Sequence, residues 1–163
     1  MSENLFAQIT PLINVASENY HRLLIVVSPS GTGKTKTFQE VHKQIGAPIC
    51  NVNLELSLQM LELTEKQRTF QLPKILGDVI QHFQNEVVLM DNIEVLFDDS
   101  LKQDPLRLLQ NLSRNKTLVV AWNGLIEDNS ISYAIPGHPE HKRYPIRDFL
   151  AIGKTKDILK NNS

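Results

Sequence analysis

Residues Ser28–Thr35 read SPSGTGKT and follow directly on the apolar run LLIVV at 23–27. A strand, a loop of the form G-x-x-x-x-G-K-[ST] and then a helix is the layout of a phosphate-binding loop. Gly33, Lys34 and Thr35 match that form, and Ser28 stands where the first glycine is usual. The flanks fit. LLIVV is a continuous aliphatic run, as expected of a strand buried on both faces. KTKTFQEVHKQIG predicts a helix ending at Gly46, a residue suited to the position just past a helix end.

The eight residues Ser28, Pro29, Ser30, Gly31, Thr32, Gly33, Lys34 and Thr35 are therefore the candidate cradle for ATP. Gly31 and Gly33 let the backbone bend so that N–H groups turn inward. Those groups and the following helix N-terminus hold phosphate oxygens. Lys34 reaches the β- and γ-phosphates, and the Thr35 hydroxyl ligates Mg²⁺. Ser28 lies at the strand exit, where a small residue suffices. The competing reading is a glycine-rich turn with lysine and threonine in register by accident.

Such a loop needs a carboxylate at the end of another buried strand to hold the metal. VVLMDNIE at 87–94 supplies Asp91 in that position, unless it is simply a capping aspartate. Hydrolysis also needs a group that orients or deprotonates water. Asn92 occupies the place directly after Asp91, and Glu94 comes three residues on. Glu94 can serve if the chain turns at once after the strand; otherwise it is a solvated glutamate. Asn123 ends the run TLVVAWN at 117–123, where it is either a sensor of the γ-phosphate and the attacking water or half of an Asn-Gly turn. Lys34, Glu94 and Asn123 are thus the candidate catalytic set, with Thr35 and Asp91 the candidate metal ligands.

The remaining chain reads as alternating strands and helices. A helical segment broken near Pro11 covers 3–20. A second strand is expected over 48–56, helices over 57–68 and 72–85, a third strand at 87–90 and a helix over 101–115. A fourth strand follows at 117–122, then a turn and a fifth strand within 124–135. An irregular loop covers 136–145, and one more helix is expected in the tail. This alternation predicts an α/β domain of three layers with a mostly parallel five-stranded sheet, in the order 5-1-4-3-2. With 163 residues, a single domain is expected, including an N-terminal helical segment (1–20) and a C-terminal tail (148–163).

Composition narrows the function classes. The net charge is −1 and the apolar share 41 %, so the whole-chain charge implies no polyanion partner. The single cysteine, Cys50, excludes an internal disulfide. No run approaches the about 20 apolar residues needed to span a bilayer, and the start MSENLFAQITPLI has no secretory pattern. A cytoplasmic protein with no membrane partner is expected. His138, Glu140 and His141 in HPEH lack further ligands nearby and do not read as a metal site. Arg68, Arg114, Arg143 and Arg147 are candidates for an arginine acting on a neighbouring subunit, the competing reading being a solvated arginine.

The stretch VVLMDNIEVLFDDSLKQDPLRLLQNLSRNKTLVVAWNG at 87–124, with YAIPGHPEHKRYP at 133–145, resembles the BrxF family of small P-loop proteins from type 3 BREX phage-defence systems. NVNLELS at 51–57 and LTEKQR at 63–68 fit the same family, and the likeness extends over roughly 20–147. The core also resembles that of AAA+ ATPases, without a helical lid segment after it and without a clear helix between the fourth and fifth strands. The resemblance implies a bacterial cytoplasmic ATP-binding protein working with other BREX-type defence proteins, with homo-oligomers and double-stranded DNA as further candidate partners. It leaves three readings open: an ATPase, a nucleotide-gated adaptor with little turnover, and a small-molecule kinase whose acceptor site would draw on Asn51, Asn53 and Glu55.

Overall fold

The computed structural model describes residues 2–133 and 142–153. Leu23, Ile25 and Val27 of β1 (Leu23–Ser28) face one way, and Leu24 and Val26 the other, all wholly buried. Both faces of the strand therefore need cover. On one face α1 (Ser2–Ala16) and α2 (Lys34–Ile45) supply it through Ile9, Ile13, Ala16, Phe38 and Val41. On the other, α3 (Val52–Met60), α4 (Glu65–His82) and α5 (Pro105–Leu112) bring Leu56, Leu72, Leu76, Ile80 and Leu109. Burial of each of these Val, Leu, Ile and Phe side chains stabilises by about 1.5–3 kcal/mol.

The sheet contains β2 (Ile49–Asn51), β3 (Val87–Asp91), β4 (Thr117–Glu127), β1 and β7 (Leu150–Gly153), in that spatial order and all parallel. The three-layer arrangement and the strand order agree with the sequence reading. The occupant of the edge beside β1 differs: it is β7, in the tail where a helix was expected. Leu150–Gly153 is short and aliphatic, and it completes its hydrogen bonds along the free edge of β1. The strand expected within 124–135 is instead β5 (Ser130–Tyr133), which pairs antiparallel with the far half of β4 and with β6 (Lys142–Pro145). β6 thus replaces part of the expected irregular loop; the rest of that loop, 136–141, and residues 154–163 of the tail lie outside the described residues.

Three other boundaries move for identifiable reasons. The helix α1 runs through Pro11, which lies on its exposed side while Ile9, Ile13 and Ala16 anchor the other side to the sheet. The second strand stops at Asn51, whose Oδ1 accepts from Leu54 N at 3.1 Å and caps α3. The break between α3 and α4 falls at 61–64, where Thr64 and Gln67 form a reciprocal capping box. Pro73 therefore sits inside α4 instead of near its start. Cys50 is buried in β2, and burial foremost pushes its thiol up to about 11, which keeps it an apolar packing group.

The strand β4 continues past Asn123 because Gly124 has no side chain. A Cβ there would lie 1.7 Å from the Ser132 carbonyl oxygen, which Trp122 Nε1 fixes at 2.9 Å. Gly124→Ala should cost on the order of 3 kcal/mol, lowering the melting temperature by roughly 6–12 °C. Thermal unfolding followed by circular dichroism checks this, and an unchanged midpoint contradicts the β4–β5 pairing.

Candidate functional site

The chain leaves the sheet at Ser28, in register with Asn123 of β4. It then bends through Gly31 (φ 81°) and Gly33 (φ 91°), left-handed values at which a side chain is strained. Nothing lies within 4 Å of where a Cβ would sit on either glycine, so the space around the bend is open and the requirement is conformational. Ser28 does more than fit. Its Oγ meets Thr32 Oγ1 at 2.8 Å, and Thr32 Oγ1 donates to Pro29 O at 2.6 Å. The serine in place of the usual glycine thus braces the loop from inside.

Lys34 opens α2, and its Nζ folds back to donate to Ser28 O at 2.8 Å and Pro29 O at 2.9 Å. Burial lowers its pKa from the ordinary lysine range, while Asp91 and Glu94 pull the other way. No side chain caps the start of α2, so its first N–H groups keep their donor capacity.

Thr35 Oγ1 donates to Asp91 Oδ2 at 2.7 Å. Asp91 closes β3 and is 7 % exposed; its Oδ1 accepts from Asn92 N at 2.9 Å. Asn92 has φ 56°, a left-handed value that asparagine tolerates, and there the chain turns at once. The turn brings Glu94 back toward Asn123. Glu94 Oε2 accepts from Asn123 Nδ2 at 3.1 Å, and Oε1 accepts from Asn53 Nδ2 at 2.8 Å. Asn53 in turn fixes that turn, taking Val95 N on its Oδ1 at 2.8 Å and donating its own N–H to Asn92 O at 2.8 Å.

Lys34, Thr35, Asp91, Glu94 and Asn123 therefore lie at the same C-terminal end of the parallel strands. The site also uses Asn53, which the sequence reading placed in a strand beside a kinase acceptor pocket. The available signal was a pair of asparagines around Val52 at the end of a short strand. Three of the four candidate arginines have side-chain contacts away from these residues. Arg68 Nε donates to Leu63 O, Arg143 pairs with Glu127 at 3.5 Å, and Arg114 lies 4.6 Å over the Tyr20 ring near the start of β1. Arg147 is exposed and its carbonyl accepts from Gln110. Among the described residues none of the four bonds to the 28–35 loop, Asp91 or Glu94, and no group of three metal-ligating side chains occurs. His138, Glu140 and His141 lie outside the described residues.

The donor set suits a magnesium–triphosphate pair. A threonine hydroxyl and a carboxylate are hard oxygen ligands of the kind Mg²⁺ takes, and an open glycine bend with a lysine suits phosphate oxygens.

Residues 24–127, more than half of the chain, match the family model described as "ATPase family associated with various cellular activities (AAA)". Among curated proteins there is no match. A solved structure of PCH-2 from C. elegans is similar at 16 % identity and a TM-score of 0.44, over 96 % of this chain and 44 % of that one. This chain thus spans less than half the length of that protein. Among the described residues no helix is long and apolar enough to cross a membrane.

The Lys34 shift has a testable sign. A lysine whose native pKa is lowered destabilises the fold while it must carry its charge, and that cost fades as pH rises toward the unfolded value. The melting temperature of wild type relative to Lys34→Met should therefore climb between pH 7 and pH 10. A flat difference across paired melts at several pH values contradicts the buried ammonium.

Proposed function

This chain belongs to the AAA family of ATPases, and from that premise we propose that it binds ATP with Mg²⁺ and hydrolyses it slowly as a component of a bacterial BREX-type defence system. The observation that carries the nucleotide reading is the Thr35–Asp91 contact of 2.7 Å beneath a glycine bend that Lys34 closes. In this reading the 28–35 loop holds the phosphates, and Thr35 and Asp91 hold the metal. The metal supplies charge neutralisation on the phosphate oxygens. Lys34 exchanges its two carbonyl partners for phosphate oxygens, Glu94 orients or deprotonates water, and Asn123 reports on the terminal phosphate. The defence role rests on the resemblance of residues 87–124 and 133–145 to the BrxF family. It brings with it the other BREX-type proteins, self-association and double-stranded DNA as partners, and a cytoplasmic location. ATP then biases a conformation or an assembly that hydrolysis releases.

A second reading, a nucleotide-gated adaptor with little turnover, is favoured by one feature. Both Glu94 oxygens are held by amides, from Asn53 and Asn123, so the carboxylate is engaged in this state. Of the three side chains on which the kinase reading would draw, Asn51 caps α3 and Asn53 spends both ends of its amide on the turn at 92–95, which leaves Glu55.

Lys34→Ala should abolish ATP binding by calorimetry, and wild-type affinity in the variant contradicts the nucleotide reading. Glu94→Gln should lower phosphate release by about 100-fold, as loss of a general base does, with ATP affinity retained. Equal turnover in the variant removes Glu94 from the reaction, and absent turnover in wild type with ATP bound selects the adaptor.

A further inference from the structure

Tyr133 of β5 has no place in the phosphate-loop reading of the site, yet it lies against the turn and strand end that carry Glu94 and Asn123. Its ring is 1 % exposed. It stacks on Phe97 with centroids 3.5 Å apart and an interplanar angle of 5°, and it stands edge-on to Trp122 at 5.2 Å. Phe97 ends the same short turn, Glu94–Phe97, that begins with Glu94, and Trp122 immediately precedes Asn123. The ring is thus tied to the backbone that carries both residues.

The hydroxyl of Tyr133 is enclosed and has no hydrogen-bond partner among the described residues. An enclosed hydroxyl without an acceptor raises the free energy of this state relative to one in which it finds a partner. Burial foremost, and then the Glu94 charge, push the phenol upward, so it keeps its proton and acts as a donor. Tyr133 pairs with Gly124, the residue after Asn123, so Tyr133 and Asn123 stand at neighbouring positions of the β4–β5 ladder; the Asn123 amide works against the upward shift of the phenol, and no partner meets the hydroxyl. Asn123 gives its Nδ2 to Glu94, and among the described residues its Oδ1 takes no hydrogen bond. An unmet donor and an unmet acceptor therefore belong to neighbouring positions of the β4–β5 ladder.

We propose that Tyr133 is a positioning residue whose hydroxyl donates to Asn123 Oδ1 when the Asn123 amide leaves Glu94, favouring the state in which the Glu94 carboxylate is free to meet water. The proposal rests on the reading of Glu94 and Asn123 as reaction residues. In the present state the carboxylate is clamped at both oxygens. Release of the Asn123 arm costs one charge-assisted hydrogen bond, and the Tyr133 donor offsets that cost. Asn53, which also fixes the turn through Val95, stays in place.

Tyr133→Phe keeps the ring and removes the hydroxyl. Without nucleotide its melting temperature should equal or exceed that of wild type; a fall of several degrees means the hydroxyl already has a structural partner and overturns the proposal. With ATP and Mg²⁺, kcat should fall about tenfold while KM stays within about twofold, as the loss of one net hydrogen bond allows. In an Asn123→Ala background the same change should add nothing. Trp122 is the single tryptophan, so its fluorescence reads this cluster even where turnover is slow. The ATP-induced change in wild type should shrink by at least half in Tyr133→Phe. Calorimetry separates the two failures: a wild type that binds no ATP overturns the nucleotide reading and this proposal together. A wild type that binds and responds, with an identical Tyr133→Phe, overturns the proposal alone.

Discussion

The hydrogen bond from Thr35, in the first turn of the helix that follows β1, to Asp91 at the end of β3 ties together the ends of two strands that never touch. β1 and β3 are separated by β4, so the contact holds only if all three strands end at the same level. The pairing fixes that level: Ser28 stands opposite Asn123, and Met90 opposite Val120. A slip of one residue in either ladder would move every side chain of a strand buried on both faces to the wrong layer. The core packing therefore enforces the register, and the register sets the distance between the hydroxyl and the carboxylate. Asn123, on the strand between them, is brought to the same end by the same constraint.

The polar groups around that contact partner one another. Lys34 lies on two loop carbonyls, Thr35 on Asp91, and Glu94 between two amides. In the proposed function the bonds of Lys34 and Thr35 give way to phosphate and metal, while Asn53 keeps its hold on Glu94. The bonds keep the desolvated lysine and the buried carboxylate from being left unpaired, a costly condition in a low-dielectric site. Two buried hydroxyls, those of Tyr133 and of Thr37 on α2, have no hydrogen-bond partner among the described residues, and the role proposed for Tyr133 draws on its place in the β4–β5 ladder next to Asn123. The aromatic cluster of Phe97, Trp122, Tyr133 and Tyr144 links the β4–β5–β6 extension to the turn carrying Glu94.

The parts of the fold legible in the sequence are those with continuous patterns. LLIVV, VVLM and TLVVAW are long aliphatic runs with a polar residue at the end, and they become β1, β3 and β4. The phosphate loop is legible because its glycines and its lysine serve local geometry. Shorter elements are decided by caps and edges. NVNLEL alternates like a strand, yet Val52, Leu56 and Met60 also repeat at helical spacing, and the Asn51 cap selects the helix. LAIG becomes a strand only because β1 offers a free edge. The roles of Asn53 and Tyr133 depend on contacts across many residues of chain, which no local pattern encodes; Asn53 reaches Glu94 and Val95, and Tyr133 reaches Phe97 and Trp122.

A crystal structure of the protein with Mg²⁺ and a non-hydrolysable ATP analogue tests the central claim most directly. The account predicts phosphates inside the 28–35 bend, a metal shared by Thr35 and Asp91, and Lys34 lifted from the carbonyls of Ser28 and Pro29. A bend that stays empty at saturating analogue, with the lysine still folded onto those carbonyls, contradicts it.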